Sequence, residues 1–188
     1  MLSFIKPWKT LKSTLVFDNP WYKLRRDEVE LPNGQVLNDY FVSVRPEVVL
    51  TFAVTDAEEV LFVRQYKHGA GRILLELPGG VMDAHETDPT EAARRELLEE
   101  TGYLADDITP LTTVFDNPTK DTNRLHFFLA RRAQWTAAQH LDPTENIEVV
   151  KVPLADVEAL VLNGSIGVSG SVALCLLALG HLRQEAAG

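Results

Sequence analysis

The sequence predicts an α/β chain of the α+β kind, with a small antiparallel β-unit ahead of a larger domain of strands and helices. Three observations carry that expectation. Two extended runs flank Pro32-Asn33-Gly34, the pattern of a β-hairpin. Two nearly continuous apolar runs follow Pro46 and are joined by a polar turn, the pattern of strands covered on both faces. Further on, Asp88-Pro89-Thr90-Glu91 and Gly102 bracket a charged segment with residues that start and stop a helix.

Taken in order, residues 1–12 show no clear period, and the chain becomes strand-like from about Thr14. Tyr22–Leu31 and Val36–Val44 form the arms of the hairpin. This N-terminal β-unit, residues 1–45, is small and needs another surface to cover its apolar side. The second domain is expected over 46–188. Its first strands are Val48–Thr55 and Val60–Tyr66, joined at Asp56–Glu59. The second of them runs out into Arg64, Gln65, Tyr66, Lys67 and His68, beside Gly69-Ala70-Gly71. Polar residues at a buried strand's end, next to a glycine loop, are candidate substrate contacts; for His68 alone a solvated strand end is the better account. Ile73–Leu77 is a short strand interrupted by Glu76, and Pro78-Gly79-Gly80 lets the backbone turn sharply.

Asp88 suits a helix N-cap, Pro89 the first helical position and Glu91 a capping box. The helix is expected to reach Thr101, with Gly102 as the left-handed residue beyond it. Strands follow at 109–115 and 124–130 around a polar loop from Asp116 to Asp121. A second polar loop, Gln139–Asn146, leads to the strand Ile147–Val152. Pro153 opens a helix that closes at Asn163-Gly164. The last helix, 171–184, is apolar nearly all round and is expected to be buried.

Acidic residues outnumber basic ones by 27 to 18, for a net charge of −9. That balance argues against a duplex nucleic acid partner, which needs a basic face. A small anionic substrate remains compatible if metal ions and local arginines offset the field. The lone Cys175 excludes an intramolecular disulfide and a cysteine zinc cluster, and its apolar setting points to packing. MLSFIKPWKT has no apolar stretch of signal-peptide length, and the apolar run at 172–179 is too short to span a bilayer. The expectation is a soluble cytoplasmic protein without a membrane partner.

The chemistry concentrates in Arg95, Glu96, Glu99 and Glu100. At about 100° per residue the three glutamates share one arc of roughly 100°, with Arg95 at its edge. Like charges three and four residues apart repel, and hard carboxylate oxygens suit magnesium or manganese. The carbonyl of Gly79 or Gly80 can complete the shell, and Arg95 can orient the glutamates by bidentate pairing. A solvated charged face is the ordinary account of such a run, and on the helix alone the two stand level.

The wider segment, GVMDAHETDPTEAARRELLEETGY, resembles the box of the Nudix hydrolases, Gly-x5-Glu-x7-Arg-Glu-U-x-Glu-Glu-x-Gly-U with U apolar. Gly80, Glu86, Arg95, Glu96, Leu97, Glu99, Glu100 and Gly102 match, with Tyr103 in the last U place. One departure is plain: eight residues, not seven, separate Glu86 from Arg95. Thr87 therefore stands where the family has its glutamate. The extra residue precedes Asp88, so the register from Arg95 to Gly102 is untouched.

The resemblance implies a Nudix fold, a mixed sheet between helices, for about 46–188. It also implies hydrolysis of a nucleoside diphosphate linked to another group. By carry-over Glu96 and Glu100 are the main Mg2+ ligands (Mn2+ as substitute), with Glu99 and the Gly79 carbonyl supplementing them and Glu86 in question.

VRQYKHGAGRILLELPGG is similar to the segment before the box in ADP-ribose pyrophosphatases, and Pro118 stands fifteen residues after Tyr103, as a proline does in that subfamily. There the N-terminal β-unit helps build a homodimer and the adenine site, so Trp21 or Tyr22 are candidates for stacking on a base, although simple packing is the commoner role for either. The general base often sits on a loop after the sheet. LDPTENIEVVKVPL resembles that loop, which makes Glu145 the candidate and Glu148 the second. Arg64 and Lys67 are candidate phosphate contacts, and Glu76 a ribose contact or a support for metal-bound water. ADP-ribose is the leading substrate, a GDP-mannose-like nucleotide sugar the runner-up, and a non-catalytic ADP-ribose-binding module the alternative of another class.

Overall fold

The computed structural model describes residues 5–188; the part of the N-terminal expectation that falls on residues 1–4 lies outside it. The chain divides into two compact units: one runs to Pro46 and includes Phe115–Asn123, and the other comprises Glu47–Val114 and Arg124–Gly188.

The first unit is a three-stranded antiparallel sheet of β1 (Lys9–Asp18), β2 (Lys23–Glu30) and β3 (Val36–Val44), in that spatial order. The expected hairpin joins β2 to β3. Leu31 N–H donates to the Gln35 carbonyl at 2.8 Å, and Asn33 Oδ1 accepts the Gln35 N–H at 3.0 Å, the local side-chain bonding that makes Asn a turn residue. β1 begins at Lys9 rather than near Thr14, because its register with β2 continues to Glu30. Phe115–Asn123 joins this unit through Ser43, whose N–H donates to the Lys120 carbonyl at 2.7 Å and whose carbonyl accepts Thr122 N–H at 3.1 Å. Val29 and Val42 are buried, whereas β1 is exposed along almost its whole length.

The second unit is a mixed eight-stranded sheet. Its main path runs β11 (Ile147–Pro153), β5 (Glu59–Lys67), β4 (Val48–Thr55), β10 (Arg124–Trp135), β8 (Tyr103–Leu104). β6 (Arg72–Glu76) pairs with β5, β7 (Gly79–Val81) with β4, and β9 (Asp107–Phe115) with β10. β4 and β10 run parallel, while β5, β6, β7 and β11 pair antiparallel. The continuous apolar character of β4 follows from cover on both faces. Leu50 and Phe52 pack with Leu174 and Cys175 of α3 (Ser169–Ala187), while Val49 and Ala53 pack with Ala92, Ala93 and Leu97 of α1 (Pro89–Thr101). The sheet thus lies between helices, as the Nudix resemblance implied.

α1 has the expected bounds. Asp88 Oδ1 accepts Thr90 N–H at 2.8 Å, and Gly102 has φ 75° with its N–H on the Leu98 carbonyl. Glu91 lies 3.7 Å from Arg94 Nε, an exposed i,i+3 pair. Between β11 and α3 the chain forms a 3-10 turn, Leu154–Asp156, and the short α2 (Val157–Leu162).

Three further expectations need correction. The Pro78-Gly79-Gly80 turn continues into β7, because Gly79 and Gly80 register with Leu50 and Val49. β10 extends to Trp135, past a register shift between Ala130 and Ala133. α3 is not buried all round: Leu174, Cys175 and Ala178 face the core, but Leu176 and Leu177 are 40 % and 46 % exposed. Burial of this helix follows the side that packs on β4, β10 and α2, so its even apolar composition does not predict it.

Candidate active site

The site is built where α1, β6–β7 and the loop after β10 meet in the second unit. Capping sets the rotation of α1 so that Leu97 is buried while Arg95, Glu96 and Glu99 are half-buried and Glu100 is 3 % exposed. Arg95 is the hub. Its Nε and Nη2 form a fork on Glu86 (2.8 and 3.0 Å), its Nη1 reaches Glu96 and Glu99 at 2.9 Å each, and Nη2 also donates to the Val81 carbonyl at 3.2 Å. The planar fork of an arginine suits this bidentate bonding. Hydrogen bonding to Arg95 holds the Glu86 carboxyl down to about 2, and Glu86 in turn raises the Arg95 guanidinium further. Glu86 Oε2 also accepts Asp83 N–H at 2.8 Å. Both Glu86 oxygens are therefore engaged by the protein, despite the extra residue in the box.

Glu96 and Glu100 behave oppositely. Burial, opposed by Arg95 but reinforced by the charges of Glu99 and Glu145, pushes Glu96 up to about 7. Burial, partly offset by Gly79 N–H (2.8 Å) and reinforced by Glu96, Glu145 and Glu76, pushes Glu100 up to about 8. Folding thus brings Glu76, Glu96 and Glu145, from a strand, a helix and a loop, within electrostatic reach of Glu100. A Cβ on Gly80 would meet the Glu96 carboxylate at 2.6 Å, so only glycine leaves this carboxylate its place.

Carboxylates that repel each other and outnumber the one arginine among them suit a divalent ion. The donor set fits: hard oxygens on Glu96, Glu99 and Glu100, with Glu76 and Glu145 nearby. Among the described residues, however, no three His, Cys, Asp or Glu side chains form a ready metal cage. The convergence expected of the three helix glutamates is altered by Arg95, which takes one oxygen each from Glu96 and Glu99, and by Gly79 N–H, which takes one from Glu100.

The remaining candidates separate. Lys67 Nζ lies 2.9 Å from Glu76 Oε1, close but out of line for a hydrogen bond, and Glu76 is 7 % exposed. Arg64 pairs with Glu148 at 2.9 Å directly across β5–β11, on an exposed face. Each thus has the other as its partner, the ordinary state of a cross-strand ion pair. Glu145 is exposed and Oε2 accepts Asp142 N–H at 3.0 Å. Pro118 belongs to the first unit, where it lines a cleft of about 600 Å³ with Trp8, Arg25 and Tyr40. Trp8 and Tyr40 meet edge to face at 5.5 Å, and Lys120 Nζ stands 5.6 Å from the Tyr40 ring centre. Trp21 is 84 % exposed, and the Tyr22 ring lies 6.3 Å from Phe17. Sequence patterning missed Gln139, whose Nε2 donates to the Glu100 carbonyl at 2.6 Å. Its position in a polar loop offers no periodic or motif signal.

An acidic helix organised by one arginine, set against a Gly-Gly strand on a sheet between helices, defines a protein of the Nudix class. The family model for the NUDIX domain matches residues 44–167, and that for the nucleoside diphosphate sugar hydrolase N-terminal domain matches 8–43. The chain belongs to the Nudix family and is a Nudix pyrophosphohydrolase. It is 34 % identical over 154 residues to an ADP-ribose pyrophosphatase of Bacillus subtilis, covering 81 % of this chain and 82 % of that one. It is 31 % identical over 147 residues to a methanol dehydrogenase activator of Bacillus methanolicus, covering 78 % of each. It is 28 % identical over 174 residues to a GDP-mannose pyrophosphatase of Yersinia enterocolitica, covering 84 % of this chain and 87 % of that protein. The crystal structure of an ADP compounds hydrolase superposes with a TM-score of 0.86 at 23 % identity, covering 98 % of each chain, which shows the shared fold. Nudix hydrolases generally require a divalent metal.

Proposed function

We propose that this protein hydrolyses the pyrophosphate bond of a nucleoside diphosphate sugar, with ADP-ribose as the leading substrate and AMP and ribose 5-phosphate as products. One observation carries the chemistry: Arg95 draws Glu96 and Glu99 together on α1 beside Glu100, which is buried and held by the Gly79 N–H. A pure binding module gains nothing from keeping such mutually repelling carboxylates. The substrate class is supported by the names of the relatives, and the Yersinia relative keeps GDP-mannose as the second reading.

Glu96 and Glu100 would be the main ligands of Mg2+, or of Mn2+ as its substitute, with Glu99 and the Gly79 carbonyl supplementing them. A bound cation would stabilise charge building on the pyrophosphate. Arg95 orients Glu96 and Glu99, and Glu86 orients Arg95 rather than holding metal. Glu145 is the base that takes a proton from the attacking water, with Glu148 second because it is already paired. The water oxygen adds to one phosphorus, the bridging P–O bond breaks, and two phosphomonoesters leave. Lys67 and Arg64 are proposed phosphate contacts, Glu76 a ribose contact that keeps Lys67 in place, and Pro118 a nucleotide contact.

We take residues 1–45 to be the substrate and dimer unit and 46–188 the hydrolase domain. The exposed apolar side chains of β1, Leu11, Leu15 and Phe17 among them, support a homodimer. Among the described residues no helix is long and apolar enough to cross a membrane, and a cytoplasmic location is part of this proposal.

The test is a substrate panel with magnesium: ADP-ribose, GDP-mannose, UDP-glucose, NADH and diadenosine polyphosphates, read by release of phosphomonoester. Turnover is expected to be fastest with ADP-ribose. Tight ADP-ribose binding without turnover of any member would establish the binding module instead.

A further inference from the structure

The loop that carries Glu145 is not free at its root. Beyond β10, Thr136 and Ala137 N–H donate to the Gly102 carbonyl at 2.9 and 3.2 Å, and His140 N–H donates to the Glu99 carbonyl at 2.9 Å. The Glu99 carbonyl lies in the last turn of α1, where helix geometry leaves carbonyls without intrahelical partners, and the Gly102 carbonyl lies just beyond it. Gln139 adds a side-chain bond on each side of the neck. Its Nε2 donates to the Glu100 carbonyl at 2.6 Å and to the Ile147 carbonyl at 3.2 Å. An amide NH2 has two donors, and here one acceptor belongs to a proposed metal ligand while the other opens β11, two residues after Glu145. The segment 140–146 is therefore closed by one side chain onto the end of the helix that bears Glu96 and Glu100.

From this bridge we infer that Gln139 is a positioning residue for hydrolysis: it sets the distance between the loop base and the helix carboxylates. The inference rests on the proposal that Glu145 is the base. A base held by a loop needs its root fixed, since small displacements of a reacting group lower rates steeply. Gln139 touches no substrate; it acts through Glu145. Glutamate at this place would present a carboxylate to two carbonyls and lose both bonds. Asparagine keeps the donors on a stem too short to span both acceptors.

The test uses the full chain with magnesium and ADP-ribose. Gln139→Ala is expected to lower kcat on the order of tenfold, with KM and the magnesium concentration for half-maximal rate little changed. Gln139→Glu should lose at least as much, and Gln139→Asn should recover part. Amide hydrogen exchange in Gln139→Ala should quicken over 140–146 while that of 92–100 stays as in the wild type. Introduced into Glu145→Gln, Gln139→Ala should cost almost nothing further, because the group it positions is already disabled. Equal losses in both backgrounds, unchanged exchange over 140–146, or a raised magnesium requirement would overturn the assignment of Gln139 while leaving Glu145 as base. Wild-type kcat in Glu145→Gln alone would remove the base and the Gln139 inference together.

Discussion

Glu96 and Glu100 have opposite requirements for stability and for catalysis. Burial and like charge hold them up to about 7 and about 8, against an ordinary 4.5. Between roughly pH 4.5 and 8 these two carboxyls therefore bind more protons in the folded metal-free protein than in the unfolded chain, and their contribution to stability falls as pH rises through that window. The Tm of metal-free protein should be higher at about pH 5.5 than at about pH 8.5, and saturating magnesium, which needs ionised ligands, should reverse the order. Glu86 acts in the opposite sense at lower pH: held at about 2, it contributes stability that is lost as pH falls from about 4.5 through 2. Glu100→Gln should cut kcat by about a hundredfold or more yet raise the metal-free Tm at about pH 8.5, since it removes a buried charge without changing shape. Near wild-type activity in that variant would sink the metal assignment. Arg95→Lys cannot hold three carboxylates at once; melting curves should register a loss of about 1–3 kcal/mol. Cys175 is fully buried and its thiol is pushed up to about 12 by burial, so alkylation should follow unfolding rather than precede it. Rapid labelling under native conditions would contradict this packing.

α1 owes its precision to its two ends. The Asp88 cap fixes where the helix begins, and Gly102 both ends it at φ 75° and leaves room for the chain beyond β10. A Cβ on Gly102 would run into the Ala137 carbonyl oxygen, so Gly102→Ala combines left-handed strain with a backbone clash. It should destabilise by about 1–3 kcal/mol, measured by denaturant unfolding, and should also disturb the bonds that anchor the Glu145 loop. Asp88→Ala removes one N–H acceptor at the other end and should cost about 1 kcal/mol with little effect on KM. α3 obeys a different logic. Its core-facing stripe is set by contact with β4, β10 and α2, so its outward leucines remain partly exposed.

For the whole molecule, the N-terminal unit is too thin to bury its own apolar side chains. β1 exposes Leu15 at 47 % and Phe17 at 50 %, which is costly in water unless another surface covers them. If that surface is a second copy, light scattering should give the mass of a dimer, and Phe17→Asp with Leu15→Asp should shift it to monomer. A monomeric wild type at micromolar concentration would rule that cover out.

Elements held by local chemistry are legible in the sequence itself. The Pro32-Asn33-Gly34 hairpin, the apolar β4 and β5, and α1 from Asp88 to Gly102 all follow from turn, period and capping rules that act over a few residues. So does the clustering of Arg95, Glu96, Glu99 and Glu100 on one side of a helix. Long-range contacts set the rest. Glu86, one residue out of its place in the box, still meets Arg95 because the loop before Asp88 takes up the extra residue. Arg64 and Glu148 each look like site residues along the chain, but β5 and β11 pair them with each other. Gln139 carries no signal at all until folding places two carbonyls around its amide. Spacing along the chain decides a helix face or a turn, whereas the partner of a charge is decided by which distant segments the sheet brings within a few ångströms.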